Sequence, residues 1–145
     1  MLLLEPQSVR FGDVVLESVQ FISLDRTATR FIVERGDDGG LPVFADAPEE
    51  LVILRVVQQI TAQELTMLRC GRLETLSWIT ASSSSDAHRA RMSAQCVLRQ
   101  VRHEFPGARP SPRSAGAVTR VLSFVALSPD GHSEPISIVP VDAGF

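Results

Sequence analysis

The sequence predicts a mainly β protein with one short α-helix, and three stretches carry that prediction. In Glu49 to Ile60, EELVILRVVQQI, five of the last nine residues are β-branched: Val52, Ile53, Val56, Val57 and Ile60. Branching at Cβ stiffens χ1 and suits a pleated, packed surface better than a helix. Val52, Leu54, Val56 and Ile60 share one parity, interrupted only by Gln58. The opposite face, Leu51, Ile53, Arg55, Val57 and Gln59, begins apolar and ends polar. That pattern reads as a central strand covered on both sides at one end. The rival is a helix, because Asp46, Pro48, Glu49 and Glu50 resemble a helix start. Ala117 to Ser128, AVTRVLSFVALS, is again rich in β-branched residues. Val14 to Leu24 alternates, with Val15, Val19 and Phe21 on one side and Ser18 and Gln20 on the other.

The remaining elements follow in order. Ser8 to Phe11 is a short strand turned by Gly12-Asp13. Asp25 to Thr27 reads as a polar turn, and Ala28 to Glu34 as a strand with Phe31 and Val33 on one face. Arg35 to Pro48 reads as a long loop, because Gly36, Gly39, Gly40, Pro42 and Pro48 oppose regular structure. It nevertheless carries Leu41, Val43 and Phe44, an apolar tip that either folds back on its own domain or inserts into a neighbour. Thr61 to Leu68 reads as the short helix, with Thr61 and Glu64 at capping-box spacing and Cys70-Gly71 as its end. Arg72 to Ala81 is a strand, Ser82 to Ser85 a loop, and Gly107 to Gly116 another loop. Pro129-Asp130-Gly131 is a turn in which Pro fixes φ and Gly accepts φ > 0. Ile136 to Val141 is the last strand. Asp86 to Phe105 supports two readings. Ala90, Ala94, Val97, Leu98, Val101 and Phe105 recur at helical spacing, whereas Met92, Ala94, Cys96 and Leu98 alternate with polar residues as in a strand. A compromise is a helix to about Met92 and a strand after it.

A chain of 145 residues, 44% hydrophobic and 21% charged, fits one globular domain spanning 1–145. The opening MLLLEP has too short an apolar run for a signal peptide, and no later segment approaches membrane-spanning length. Cytoplasmic synthesis without an anchor is therefore expected. The net charge is −3, and all 14 cationic residues are Arg. Arg suits interfaces better than Lys, although a GC-rich coding sequence gives the same bias. Acids dominate between Glu34 and Glu50. Bases dominate between Arg89 and Arg120, with Arg89, Arg91, Arg99 and Arg102 as candidate interface residues. Complementary blocks can steer like subunits together head to tail, or can simply be two solvated faces.

No motif with chemistry stands out. Cys70 and Cys96 form neither a disulfide framework nor a metal motif, and read best as idle thiols. The spacings of His88, His103 and His132 match no compact ligand set. Gly39-Gly40 lacks the surroundings of a phosphate loop, and the serine tract lacks a nucleophile elbow. The basic block has one interleaved aromatic, Phe105, which is poor for nucleic-acid stacking. No catalytic residue, metal site or cofactor is expected.

The layout resembles that of phage tail tube proteins, including the tube proteins of contractile injection systems and gene transfer agents. The resemblance rests on four features: the strand pair in SVRFGDVVLESVQFISLDRTATRFIVERG, the Gly/Pro loop after it, the strand EELVILRVVQQI, and the pair CVLRQVRHEF with AVTRVLSFVALSPDGHSEPISI. It covers roughly Ser8 to Ile138, through patterns and not signatures.

The resemblance implies an antiparallel β-sandwich or partial barrel that closes into a larger barrel on oligomerisation. It implies a structural virion protein, a non-enzymatic tail tube subunit. Copies would form stacked hexameric rings, meet other tail proteins, and pass DNA through a lumen without specific binding. It places an inter-subunit loop at Asp37, Asp38, Leu41, Val43 and Phe44, and favours the strand reading of Cys96 to Glu104. Glu17, Gln20 and Glu74 become lumen-facing candidates by strand parity. The alternatives are a terminator or baseplate protein that forms one ring, and a small β-barrel binding module that stays monomeric.

Overall fold

The computed structural model describes residues 2–4, 6–35, 42–61, 68–80, 89–105, 117–130 and 133–141, with backbone alone for residues 2–4, 29–32, 34, 42–49 and 117. The described residues contain nine strands and no helix. They are β1 (Leu2–Leu4), β2 (Pro6–Phe11), β3 (Val14–Val15), β4 (Val19–Arg35), β5 (Pro42–Thr61), β6 (Leu73–Thr80), β7 (Ala90–Glu104), β8 (Ala117–Leu127) and β9 (Ile136–Pro140). All pair antiparallel in one sheet, in the order β1-β4-β5-β8-β7-β6-β2-β3, with β9 on β7. β9 pairs Ala90 to Ala94 and β8 pairs the rest of β7, so the two lie end to end along one side of it.

The predicted central strand is central, with β4 on one side and β8 on the other. Val52, Leu54, Val56, Gln58 and Ile60 are buried, while Ile53, Arg55 and Val57 are half-buried and Gln59 is exposed. The other strands bury the same face: Leu76 and Trp78 on β6, Met92, Ala94, Cys96 and Leu98 on β7, and Leu122 and Phe124 on β8. Phe11 of β2 meets Phe124 with ring centroids 4.8 Å apart, although two strands separate β2 from β8 in the sheet order. β1 pairs Leu4 with Ile22 on β4, and two residues on, β2 pairs Pro6 with Thr80 on β6. One short segment therefore reaches both β4 and β6, which requires the sheet to curl around its core.

Four expectations change. The turn at Asp25 to Thr27 is uninterrupted β4, paired with Leu51 to Ile53. Its polar residues are ion-paired instead: Asp25 with Arg55, and Arg26 with Glu50 and Glu134. The long loop ends early, because β5 begins at Pro42. Pro42 occupies the first strand position. Pro48 falls where Arg30 pairs Glu49 and Ile32 pairs Asp46, so Ala47 and Pro48 are the extra residues of a bulge. Both are places where a sheet tolerates a missing N–H. The single strand over Val14 to Leu24 breaks at Leu16 to Ser18, where Ser18 has φ 55°. The buried face is the opposite of the one expected: Leu16 and Ile22 are buried, while Val15 and Phe21 are exposed. Finally, β7 is a strand from Ala90, so helical spacing misleads there and the alternation of Met92, Ala94, Cys96 and Leu98 prevails. The compromise helix to Met92 fails over Ala90 to Met92.

Other expectations hold. Gly12 turns β2 into β3 with φ 59°, and its N–H donates to the Thr75 carbonyl at 2.9 Å. After β8, Asp130 accepts from the Ser133 N–H at 2.7 Å and from the Ser128 hydroxyl at 3.1 Å, while Gly131 of the expected turn lies outside the described residues. The helix expected over Thr61 to Leu68 lies mostly outside the described residues. Thr61 ends β5, and Leu68 packs against the core. The loops at Ser82 to Ser85 and Gly107 to Gly116 are outside them too.

Candidate functional site

Two parts of the surface stand apart from an ordinary sheet face. The first is the β4–β5 ribbon. β5 pairs β8 only from Val52 onward, yet its pairing with β4 continues back to Pro42 opposite Arg35. β1 stops at Leu24 on the other side of β4. Beyond Ala28 and Glu50 the two strands thus have only each other among the described residues. The seven β4 residues from Thr29 to Arg35, at ~3.3 Å each, give a length of roughly 23 Å. An isolated two-stranded ribbon is marginally stable in water, and its unpaired N–H and C=O groups invite another strand. Val33, on the ribbon, is 43% exposed.

The second part is the outward face of β7. Burial of Met92, Ala94, Cys96 and Leu98 sends Arg91 and Arg99 outward. A bulge between Leu98 and Gln100 then shifts the parity, so Arg102 also points outward. Arg89 lies just before the strand and donates to Gln7 at 3.0 Å, and Arg102 pairs with Glu104 at 2.8 Å. The four arginines expected at an interface are thus gathered along one strand. Arg99 lines a groove of about 400 Å³ with Ile53, Arg55, Gln100 and Ser123. Arg91 lines a second, of about 250 Å³, with Ser8, Arg10, Ser77, Trp78 and Ile79.

The other expected site residues are not gathered. Asp37, Asp38 and Leu41 lie outside the described residues. Val43 and Phe44 lie on β5, with Phe44 opposite Glu34. Glu17 and Gln20 are exposed on either side of the Ser18 kink. Glu74 has the core-facing parity of Leu76 and Trp78 and pairs with Arg72 at 3.2 Å. A Cβ on Gly12 would come within 2.8 Å of its Oε2, so Glu74 sits under the β2–β3 turn.

Sequence reasoning missed an interior polar cluster, for which Gln58 was the signal. Gln58 is 1% exposed and Arg120 5%. The Arg120 Nε–H donates to Gln58 Oε1 at 2.9 Å, and the Gln58 amide donates to the Glu17 carbonyl at 2.9 Å. A buried group left without its partner costs about 1–3 kcal/mol. Gln58→Leu is therefore expected to lower unfolding stability by about 2 kcal/mol in urea titration, against no more than ~0.5 for Gln59→Leu on the exposed face. Equal effects would show that the cluster contributes nothing.

No protein-family model matches the chain, and neither does any curated protein or solved structure. The chemistry of the surface is thus judged on its own residues. Cys70 and Cys96 are both free thiols, the first exposed and the second buried. Burial pushes the Cys96 thiol up to about 12, against a smaller opposing effect of a hydrogen bond with the Leu76 backbone. Such a thiol stays protonated and unreactive. Among the described residues no three His, Cys, Asp or Glu side chains cluster as metal ligands. His103 sits on β7 opposite Arg120, and His88 and His132 lie outside the described residues. The Arg26–Glu134 hydrogen bond holds the Glu134 carboxyl below the usual carboxylate range. Both side chains are well exposed, so this ties the segment before β9 to β4 with little energy.

Proposed function

We propose that this chain is a structural subunit that acts by assembling with copies of itself, in the manner of a tail tube protein. The observation that carries the reading is the β4–β5 ribbon. Among the described residues neither of its outer margins has a partner strand, and a margin of this length is satisfied most directly by strands of further identical subunits. Copies joined in this way form a larger closed barrel, which leaves no open edges. Head-to-tail contacts propagate without closing, so rings stack into a tube. In this reading the stacked hexameric rings form a conduit for DNA in a virion tail. The β7 arginines meet acidic residues of a neighbour, and the chain carries out no catalysis.

Electron microscopy of the purified, concentrated protein tests this. Tubes are the expected result. Single rings that never stack would favour the terminator or baseplate alternative. A monomer at every concentration, by microscopy and by light scattering, would overturn self-assembly altogether.

A further inference from the structure

We infer that the smaller groove, on the outer face of β2, β6 and β7, is a binding site for an oxyanion: a phosphate or a carboxylate group. The site is made by a bulge. Gln7 pairs Ile79 and Arg10 pairs Ser77, so Ser8 and Val9 together face Trp78 alone. Ser8 takes φ 52°, a left-handed conformation unfavourable outside glycine. Bulges of this kind re-aim side chains. Here Ser8 and Arg10 both line the groove.

Across the sheet, Ser77 also pairs Ser93, and Ile79 pairs Arg91. Arg10 and Arg91 therefore lie two strands apart and two residues along. From the spacing of strands and residues their Cα atoms are roughly 12 Å apart. Two extended arginine side chains can converge over that span. Neither has a carboxylate partner among the described residues, unlike Arg26, Arg55, Arg72 and Arg102. The larger groove is less suited, because Arg55 there is already neutralised by Asp25.

The lining is one-sided in its chemistry. Arg donates and cannot accept, and Ser8 and Ser77 can donate. Trp78 borders the groove only from its place on β6, because its ring turns to the core side of the sheet with Leu76. Among the described residues the lining holds no acidic side chain. Two planar guanidiniums match the paired oxygens of a phosphate or carboxylate. The volume, about 250 Å³, falls below the ~300–1,000 Å³ of pockets for whole small molecules. The groove thus suits a single anionic group.

Trp78 offers one readout. It is the only tryptophan, and the chain has no tyrosine, so ultraviolet emission comes from a single indole in the core beneath the groove. The protein is titrated with inorganic phosphate and separately with acetate, against sodium chloride at matched ionic strength. A saturable emission change with phosphate, at least tenfold weaker in Arg10→Gln/Arg91→Gln, supports a phosphate-type ligand. The same pattern with acetate supports a carboxylate. Calorimetry on the same samples detects binding if the emission is insensitive. Both arginines are exposed, and circular dichroism checks that the variant is folded. The inference is overturned if neither anion binds by either method, if chloride gives the same response, or if the double variant binds as tightly as the parent.

Discussion

Replacing residues 29–49 with Asn-Gly should abolish assembly and leave the body of the protein folded. Ala28 and Glu50 are a registered pair in the β4–β5 ladder, so a two-residue turn can close the hairpin there. Asn-Gly is the favoured sequence for such a turn, because both positions need φ > 0. Among the described residues, every member of the buried core cluster lies outside the excised stretch. Unfolding stability should therefore stay within about 1 kcal/mol of the parent, since a two-stranded ribbon contributes little by itself. Light scattering and microscopy at high concentration should find monomers alone. If the trimmed protein forms the same particles as the parent, the ribbon is not the joining element and the proposed function loses its support.

Phe124→Ala should be among the most damaging single substitutions in the body. Phe124 is fully buried and packs its ring on Phe11, at an interplanar angle of 53°. That contact joins β2 to β8 through the core, across the sheet's interior and not along a ladder. Truncating a buried Phe costs about 3–5 kcal/mol in lost transfer energy and residual cavity. A domain has only ~5–15 kcal/mol to lose. The urea midpoint should fall steeply, and near-ultraviolet dichroism from Trp78 should weaken, because Trp78 belongs to the same cluster. A loss below about 1 kcal/mol would mean that the core collapses around the vacancy, against the close packing typical of interiors.

The strand class of this chain is legible in its sequence where alternation and β-branching agree. Glu49 to Ile60 and Ala117 to Ser128 are such places, and both are strands. Reading fails where a residue has two uses. Pro42 and Pro48 suggest a loop, yet one begins a strand and the other occupies a bulge. Asp25 and Arg26 look like a turn, yet they form ion pairs with neighbouring elements. Ser18 carries no signal for the positive φ that separates β3 from β4. In β7 the two periodicities coexist, and only packing against β6 and β8 decides between them. The outward arginines of β7 were visible as a basic block. Arg10 and Ser8 were not, because they join Arg91 only through pairing between β2 and β6, far apart in the chain. Gln58 was visible as an interruption, but its partner Arg120 was not.

The N-terminal segment that touches both β4 and β6 has a consequence for synthesis. Pro6 to Phe11 is synthesised well before β6, and Phe11 meets its β6 partner only when Leu76 has been made. Through that interval the segment has only its two-pair ladder with β3, and β4 and β5 emerge as a hairpin before β8 exists to cover them. Distant pairings of this kind slow folding and leave strand edges open to wrong partners. The nascent chain is therefore most vulnerable to aggregation before β8 is translated.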